Sequence, residues 1–518
     1  MISRPRHAAL AACCALAGCA VSGPTSDKAA LLPALCGEDW YIVSVGGQKA
    51  GYAFMRNSLD ENADGEQVFA AYEEVALRLQ TPLLPEPISA KTVLHIWHDS
   101  NLVPQRYSMV ADEIGRKRTV EAVRIGQEIT ATTTVADATT EKTLSIGDAF
   151  GAEAELAARA VEGRLQPGDE FEFQVFNPQI CDLDEMVVKV DKQSTAPMEG
   201  EERTVFHLTM TSKKLGFTTS QLMDDTGRVT EMKLAGILGS GITLKLATEE
   251  EALREGSPLQ LTPNIPLPEA ITDSQAVTAL VLEASSESQE PIARLIPATE
   301  HQTVTPGPDP LRGTVTIRAP SMDAATALQL PITEPEVTEY LAATEFVQSE
   351  HPDLVAKAAE IVGDESNAWL AAQKIMRWVH GNMKRMRSYP TPITSRECLQ
   401  TLEGDCSEHA MLFVGLARAA GIPTKFVAGL AAVDDAFWYH AWNEVYVGED
   451  KWVALDATWG EPLVDATHVK LGEGALDATS FARVCLHTGK TMGALKLRVK
   501  EYVTNDDVRH EPGADTGL

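Results

Sequence analysis

Gly404-Asp405-Cys406-Ser407-Glu408-His409-Ala410 opens a helical repeat that continues through Leu412, Phe413, Leu416 and Ala420, with Gly421 and Pro423 ending it. The spacing places one face at His409, Leu412, Phe413, Leu416 and Ala420. Cys406 falls in the first turn of that helix. Unpaired backbone N–H groups and the helix dipole there favour negative charge, so the thiol is expected to titrate low and to supply thiolate. Upstream, Pro352 and Gly363 bracket a helix, and Ala372, Ile375, Met376, Val379 and Met383 form the buried stripe of another. Six of the eight tryptophans lie between Trp369 and Trp459, which marks one compact core.

Downstream, Phe437 to Val447 is rich in aromatic and β-branched residues and reads as a strand. Gly448-Glu449-Asp450 is its turn and Trp452 to Thr458 the returning strand. His440 and Asp456 could then form the base and orienting group of a cysteine nucleophile. Register decides this. A three-residue loop pairing Val447 with Lys451 puts 442 opposite 456 and leaves His440 diagonal to Asp456. A two-residue turn at Glu449-Asp450 puts them on opposite faces.

Three blocks carry a family resemblance: Gly404-Asp405-Cys406 with Glu408-His409-Ala410, Leu416 to Pro423, and His440-Ala441-Trp442 with Trp452 to Gly460. In that order and spacing they resemble the transglutaminase-like superfamily over roughly residues 335 to 460. The resemblance implies an α+β, papain-like core, with Cys406 as nucleophile, His440 as base and Asp456 as orienter. It further implies acyl transfer through a thioester, resolved by water (protease or amidase) or by an amine (transglutaminase). The Cys406 backbone N–H is the natural oxyanion donor, with Gln400 or the Trp378 indole as candidate second donors. Trp442 and Trp459 are expected to wall the site, and His409 to be a satisfied core histidine. No paired Cys-x-x-Cys spacing is present, so neither metal nor cofactor is expected. Calcium loops of the animal type are not evident.

The rest of the 518-residue chain bounds the setting. It is too long for one core. Its 74 acidic against 44 basic residues, a net charge of −30, exclude nucleic acid as an expected partner. Arg4 and Arg6 precede a short Ala/Leu/Cys run that ends Leu16-Ala17-Gly18-Cys19, which looks like a bacterial lipobox. The expectation is cleavage before Cys19, its lipidation, and anchoring at the periplasmic face of the outer membrane. A peptide, protein or peptidoglycan-stem amide would then be the substrate. Five cysteines remain, Cys36, Cys181, Cys398, Cys406 and Cys485. Two bridges (Cys36–Cys181 and Cys398–Cys485 by proximity) and reduced thiols are both open.

Residues 1–18 are thus expected as signal peptide, 19–36 as tether, and 37–257 as a β-rich antiparallel domain. Gly46-Gly47 is a hairpin turn there, and Leu94 to Tyr107 resembles Gln221 to Leu234, hinting at duplication. Residues 258–333 are expected as a linker and small β domain, 334–500 as the acyl-transfer domain, and 501–518 as a tail. The competing reading is a non-catalytic binding or scaffold lipoprotein in which the N-terminal sheet does the work.

Overall fold

Alternating apolar residues build the N-terminal strands. Along Gly37–Val45, Tyr41, Val43 and Val45 are buried, with partly covered residues between them. Gly46 and Gly47 both take positive φ, 58° and 78°, which glycine adopts without a Cβ clash. This two-residue turn sets Val45 opposite Gln48 and starts Gln48–Glu61. A computed structural model describes residues 32–512, except 62–64, 66, 81–85, 114–115, 137, 152–153, 199, 237, 239–240, 262–263, 386–393 and 449–450. Cys19 and the leader expected at 1–18 lie outside the described residues. The chain divides into two compact units with the boundary at residues 260/261, inside the proline-rich stretch.

The first unit is a single 15-stranded sheet. Eight strands, Gly37–Val45 through Ala138–Ser145, follow one another as antiparallel neighbours. A second run from Glu170–Asn177 to Ile242–Ala247 returns so that Ile242–Ala247 pairs with Gly37–Val45. The two similar stretches are both hairpins of this sheet. Their turns share one device. Asp99 Oδ1 accepts the Asn101 and Val103 N–H groups, and Asp224 Oδ1 accepts those of Thr226 and Arg228. A cavity of about 400 Å³, lined by Phe69, Glu73, Ile96, His98, Leu102 and Met232 among others, lies within this unit.

In the second unit, helices α1 (Pro352–Val362), α2 (Ala368–Asn382), α3 (Ser395–Thr401) and α4 (Cys406–Ala419) precede strands β1 (Thr424–Val433), β2 (Ala436–Gly448), β3 (Lys451–Leu455) and β4 (Val469–Gly474). Helix α5 (Ala478–Thr491) follows. Gly363 caps α1, and Ala372, Ile375, Met376 and Val379 of α2 are buried, as the sequence periodicity predicts. Leu412, Phe413 and Leu416 of α4 join them, with Val445 and Leu455, in one core.

Residues 258–333 do not stand apart. Asn264–Pro266 pairs with β2, and Val277–Ser286 pairs with both Arg312–Arg318 and Leu495–Thr504. Thr504 and Arg509–His510, in the expected tail, belong to that same sheet. Hydrogen bonding between distant strands makes them one unit, a pairing that local composition does not record. No disulfide joins the five cysteines among the described residues. Cys36 and Cys181 sit in different apolar clusters, and Cys398 is enclosed in the helical core, so the reduced alternative holds. No described helix is long and apolar enough to cross a membrane.

Candidate active site

Helix α4 starts where its caps dictate. The Asp405 side chain accepts the Ser407 N–H at 3.1 Å, and Glu408 Oε2 accepts the Asp405 N–H at 2.7 Å, a reciprocal capping box. Gly404 must lack a side chain, because a Cβ there would lie 2.4 Å from Glu408 Cβ. Cys406 is therefore the first helical residue, as expected, and it is fully enclosed, 0 % exposed. The enclosure reverses the expected titration. Burial, reinforced by the negative charge of Asp405, pushes the thiol well above its ordinary value, although the Ala441 N–H donates to it. Loss of water is the largest cause of the rise.

That Ala441 contact brings Cys406 to the residue beside His440. Asn443, buried on β2, fastens it to α4 by donating to Ala410 O at 3.2 Å and to β1 by donating to Lys425 O at 3.3 Å. The β2–β3 register sets Tyr446 opposite Trp452 and Asn443 opposite Leu455, the parity that leaves His440 diagonal to Asp456. It is reached differently from the expected loop. Gly448 pairs with Lys451, the spacing of a two-residue turn, and a bulge between Tyr446 and Gly448 shifts the ladder by one. Val447 is the extra residue that restores the shared face.

His440 Nε2 and Asp456 Oδ2 are 2.8 Å apart, both groups buried. The other carboxylate oxygen, Oδ1, accepts the Thr458 N–H at 2.6 Å. Burial works against ionising Asp456, but His440 and His468 hold its carboxyl well below the usual carboxylate range. Burial lowers the His440 pKa despite Asp456, so the imidazole is neutral at pH 7. Its Nδ1 is buried without a hydrogen-bond partner.

Trp459 stacks on His440 with centroids 4.2 Å apart and planes at 7°, and Trp442 lies beyond at 6.1 Å and 23°. Both tryptophans therefore flank the imidazole, as expected. His409 departs from expectation. Its Nδ1 contacts Asp405 O at 2.7 Å, but Nε2 is buried and unpaired. Gln400 is exposed on α3, and Trp378 lies beneath Lys357 of α1, whose Nζ is 5.5 Å from the ring centroid.

The sequence reading overlooks a buried group just past Asp456: Glu461, Asp465 and His468. His468 Nε2 lies 3.8 Å from Asp456 Oδ2, and its Nδ1 lies 3.5 Å from Asp465 Oδ1. Burial opposes protonation of His468, yet Asp465, Asp456 and Glu461 together push its pKa well up. Burial raises Glu461 to about 7. A search for paired cysteines misses this cluster. The available signal was the run Glu461-x₃-Asp465-x₂-His468 directly after the Asp456 strand.

Comparison with known proteins locates this geometry. Residues 355–457 match the core of the transglutaminase-like superfamily. The chain is 35% identical over 85 residues to kyphoscoliosis peptidase of Mus musculus, covering 14% of this chain and 12% of that protein. It is 33% identical over 104 residues to an uncharacterized protein of Haemophilus influenzae, covering 18% of this chain and 27% of that one. It thus spans only a small part of either relative. A solved protein from Cytophaga hutchinsonii, provisionally described as a cysteine protease, covers 46% of this chain and 90% of its own, at 16% identity and a TM-score of 0.30. Residues 355–457 of this chain, with Cys406 opening α4, His440 on β2 and Asp456 just past β3, are a domain of the transglutaminase-like superfamily.

Proposed function

We propose that this domain is a cysteine acyl-transfer enzyme acting on peptide or protein amides, with Cys406 as nucleophile, His440 as base and Asp456 as orienter. The observation that carries the reading is the His440–Asp456 pair at 2.8 Å with Nδ1 left unpaired. His440 Nδ1 takes the Cys406 proton as the sulfur attacks the amide carbonyl carbon, and the Cys406 N–H stabilises the oxyanion. The C–N bond breaks as His440 returns the proton to the leaving amine. Water, deprotonated by His440, then cleaves the thioester and regenerates the thiol. We favour water over an amine as acceptor, hence a protease or amidase. Anchoring through lipidated Cys19 at the periplasmic face of the outer membrane would make peptide and peptidoglycan-stem amides the accessible substrates.

The full enclosure of Cys406 favours a second reading, a non-catalytic scaffold. Alkylation of Cys406 by iodoacetamide across pH, in wild type and His440→Ala, decides between them. Labelling near pH 6 that collapses in the variant supports the enzyme. Labelling only above roughly pH 8, as for an ordinary thiol, and indifferent to His440, overturns it.

A further inference from the structure

Glu461, Asp465 and His468 are 7, 6 and 5 % exposed, and one donor atom from each lies within 4.8 Å of the others. Each carboxylate is anchored at one oxygen. Gln275 Nε2 donates to Glu461 Oε1 at 2.9 Å, and the Thr467 N–H donates to Asp465 Oδ1 at 2.6 Å. The remaining oxygens, Glu461 Oε2 and Asp465 Oδ2, are buried without a hydrogen-bond partner, and both nitrogens of His468 have only the longer carboxylate contacts given above. With Asp456 beside them, three carboxylates share a buried space with two imidazoles. Even a protonated His468 leaves negative charge in excess, and buried uncompensated charge is strongly unfavourable.

The spacing identifies what would compensate it. At 3.5 Å, His468 Nδ1 and Asp465 Oδ1 are farther apart than a good hydrogen bond. Two ligands of one tetrahedral ion, each bonded at about 2.0–2.2 Å, sit roughly 3.3–3.5 Å apart. The opposite nitrogen of the ring faces Asp456 Oδ2 at 3.8 Å. An imidazole with one nitrogen toward a metal and the other toward a carboxylate is the usual setting of a metal-bound histidine.

We propose that Glu461, Asp465 and His468 form a binding site for a divalent first-row transition ion of the zinc class. One imidazole and two carboxylates suit such an ion, whereas calcium takes six to eight oxygens. The ion would fix the proton of His468 on Nε2, pointing it at Asp456 and so steadying the carboxylate that holds His440. The assignment is independent of the acyl-transfer reading, because its readout requires no turnover.

The test is a Co²⁺ titration of the full chain after chelator treatment, followed by visible absorption. One equivalent should develop d–d bands without sulfur-to-cobalt charge transfer, and Zn²⁺ should abolish them. Asp465→Asn and His468→Gln should each weaken binding by more than the roughly 10–100-fold that loss of an outer partner costs. Cys406→Ala should leave the bands unchanged, which keeps the test decisive if the ligand variants fail to fold. Absence of bands in the wild type overturns the proposal. So does their persistence in folded Asp465→Asn and His468→Gln, or a charge-transfer band lost in Cys406→Ala.

Discussion

Trp459 lies flat against His440, its ring 4.2 Å away and within 7° of parallel, so one face of the imidazole is shielded from water. Burial is the largest cause lowering the His440 pKa. Trp459→Ala should therefore raise it toward the ordinary histidine value, moving the acid limb of Cys406 alkylation to higher pH. Trp459→Phe should move it less. The pH profiles of the three proteins check this.

Asp456→Asn keeps the shape beside His440 but removes the charge that accepts from Nε2. Loss of the correct tautomer should lower turnover of a model amide by about 10³–10⁴. Circular dichroism should show the fold intact.

Arg418 joins three segments of the C-terminal unit. Nη1 donates to Ala342 O at 2.8 Å, and Nη2 donates to Thr424 O and Ala475 O, each at 2.8 Å. Burial lowers its pKa only to about 10, so it stays charged at neutral pH. Arg418→Ala strands these carbonyls and should cost about 3–5 kcal/mol in denaturant unfolding. Arg418→Lys should recover less than half, since an ammonium cannot span the three acceptors.

Glu73 gives the N-terminal unit a pH signature. Burial pushes its carboxyl up to about 8 from an ordinary 4.5, and Oε2 has no partner. Between those values the native state keeps a proton that the unfolded chain has lost. Its contribution is full below pH 4.5 and is lost as pH rises through 8. Glu73→Gln should be more stable than wild type at pH 8, by about 4 kcal/mol at 1.36 kcal/mol per pH unit over that interval, and nearly unchanged at pH 4.5. Thermal melts at the two values decide it.

What was legible in the sequence was local. Pro352, Gly363, the Gly421–Pro423 stop after the Cys406 helix and the Gly46-Gly47 turn each act within a few residues, and each element formed where they indicated. The parity of His440 and Asp456 was legible as a condition, but the Val447 bulge that satisfies it was not. A bulge depends on how two strands settle against a core. The high thiol pKa of Cys406 and the convergence of Glu461, Asp465 and His468 likewise arise from enclosure by distant residues.

The sheet that joins Val277–Ser286 to Leu495–Thr504 also governs when the C-terminal unit can form. Thr278 Oγ1 donates to Val503 O across 225 residues, so the central strand waits for a neighbour that the ribosome makes much later. Contacts this distant in sequence slow folding and leave strand edges open in the interim. The domain that carries Cys406 is thus completed only after its own helices have been synthesised. An emerging or truncated chain would hold Cys406, His440 and Asp456 before that neighbouring sheet is complete.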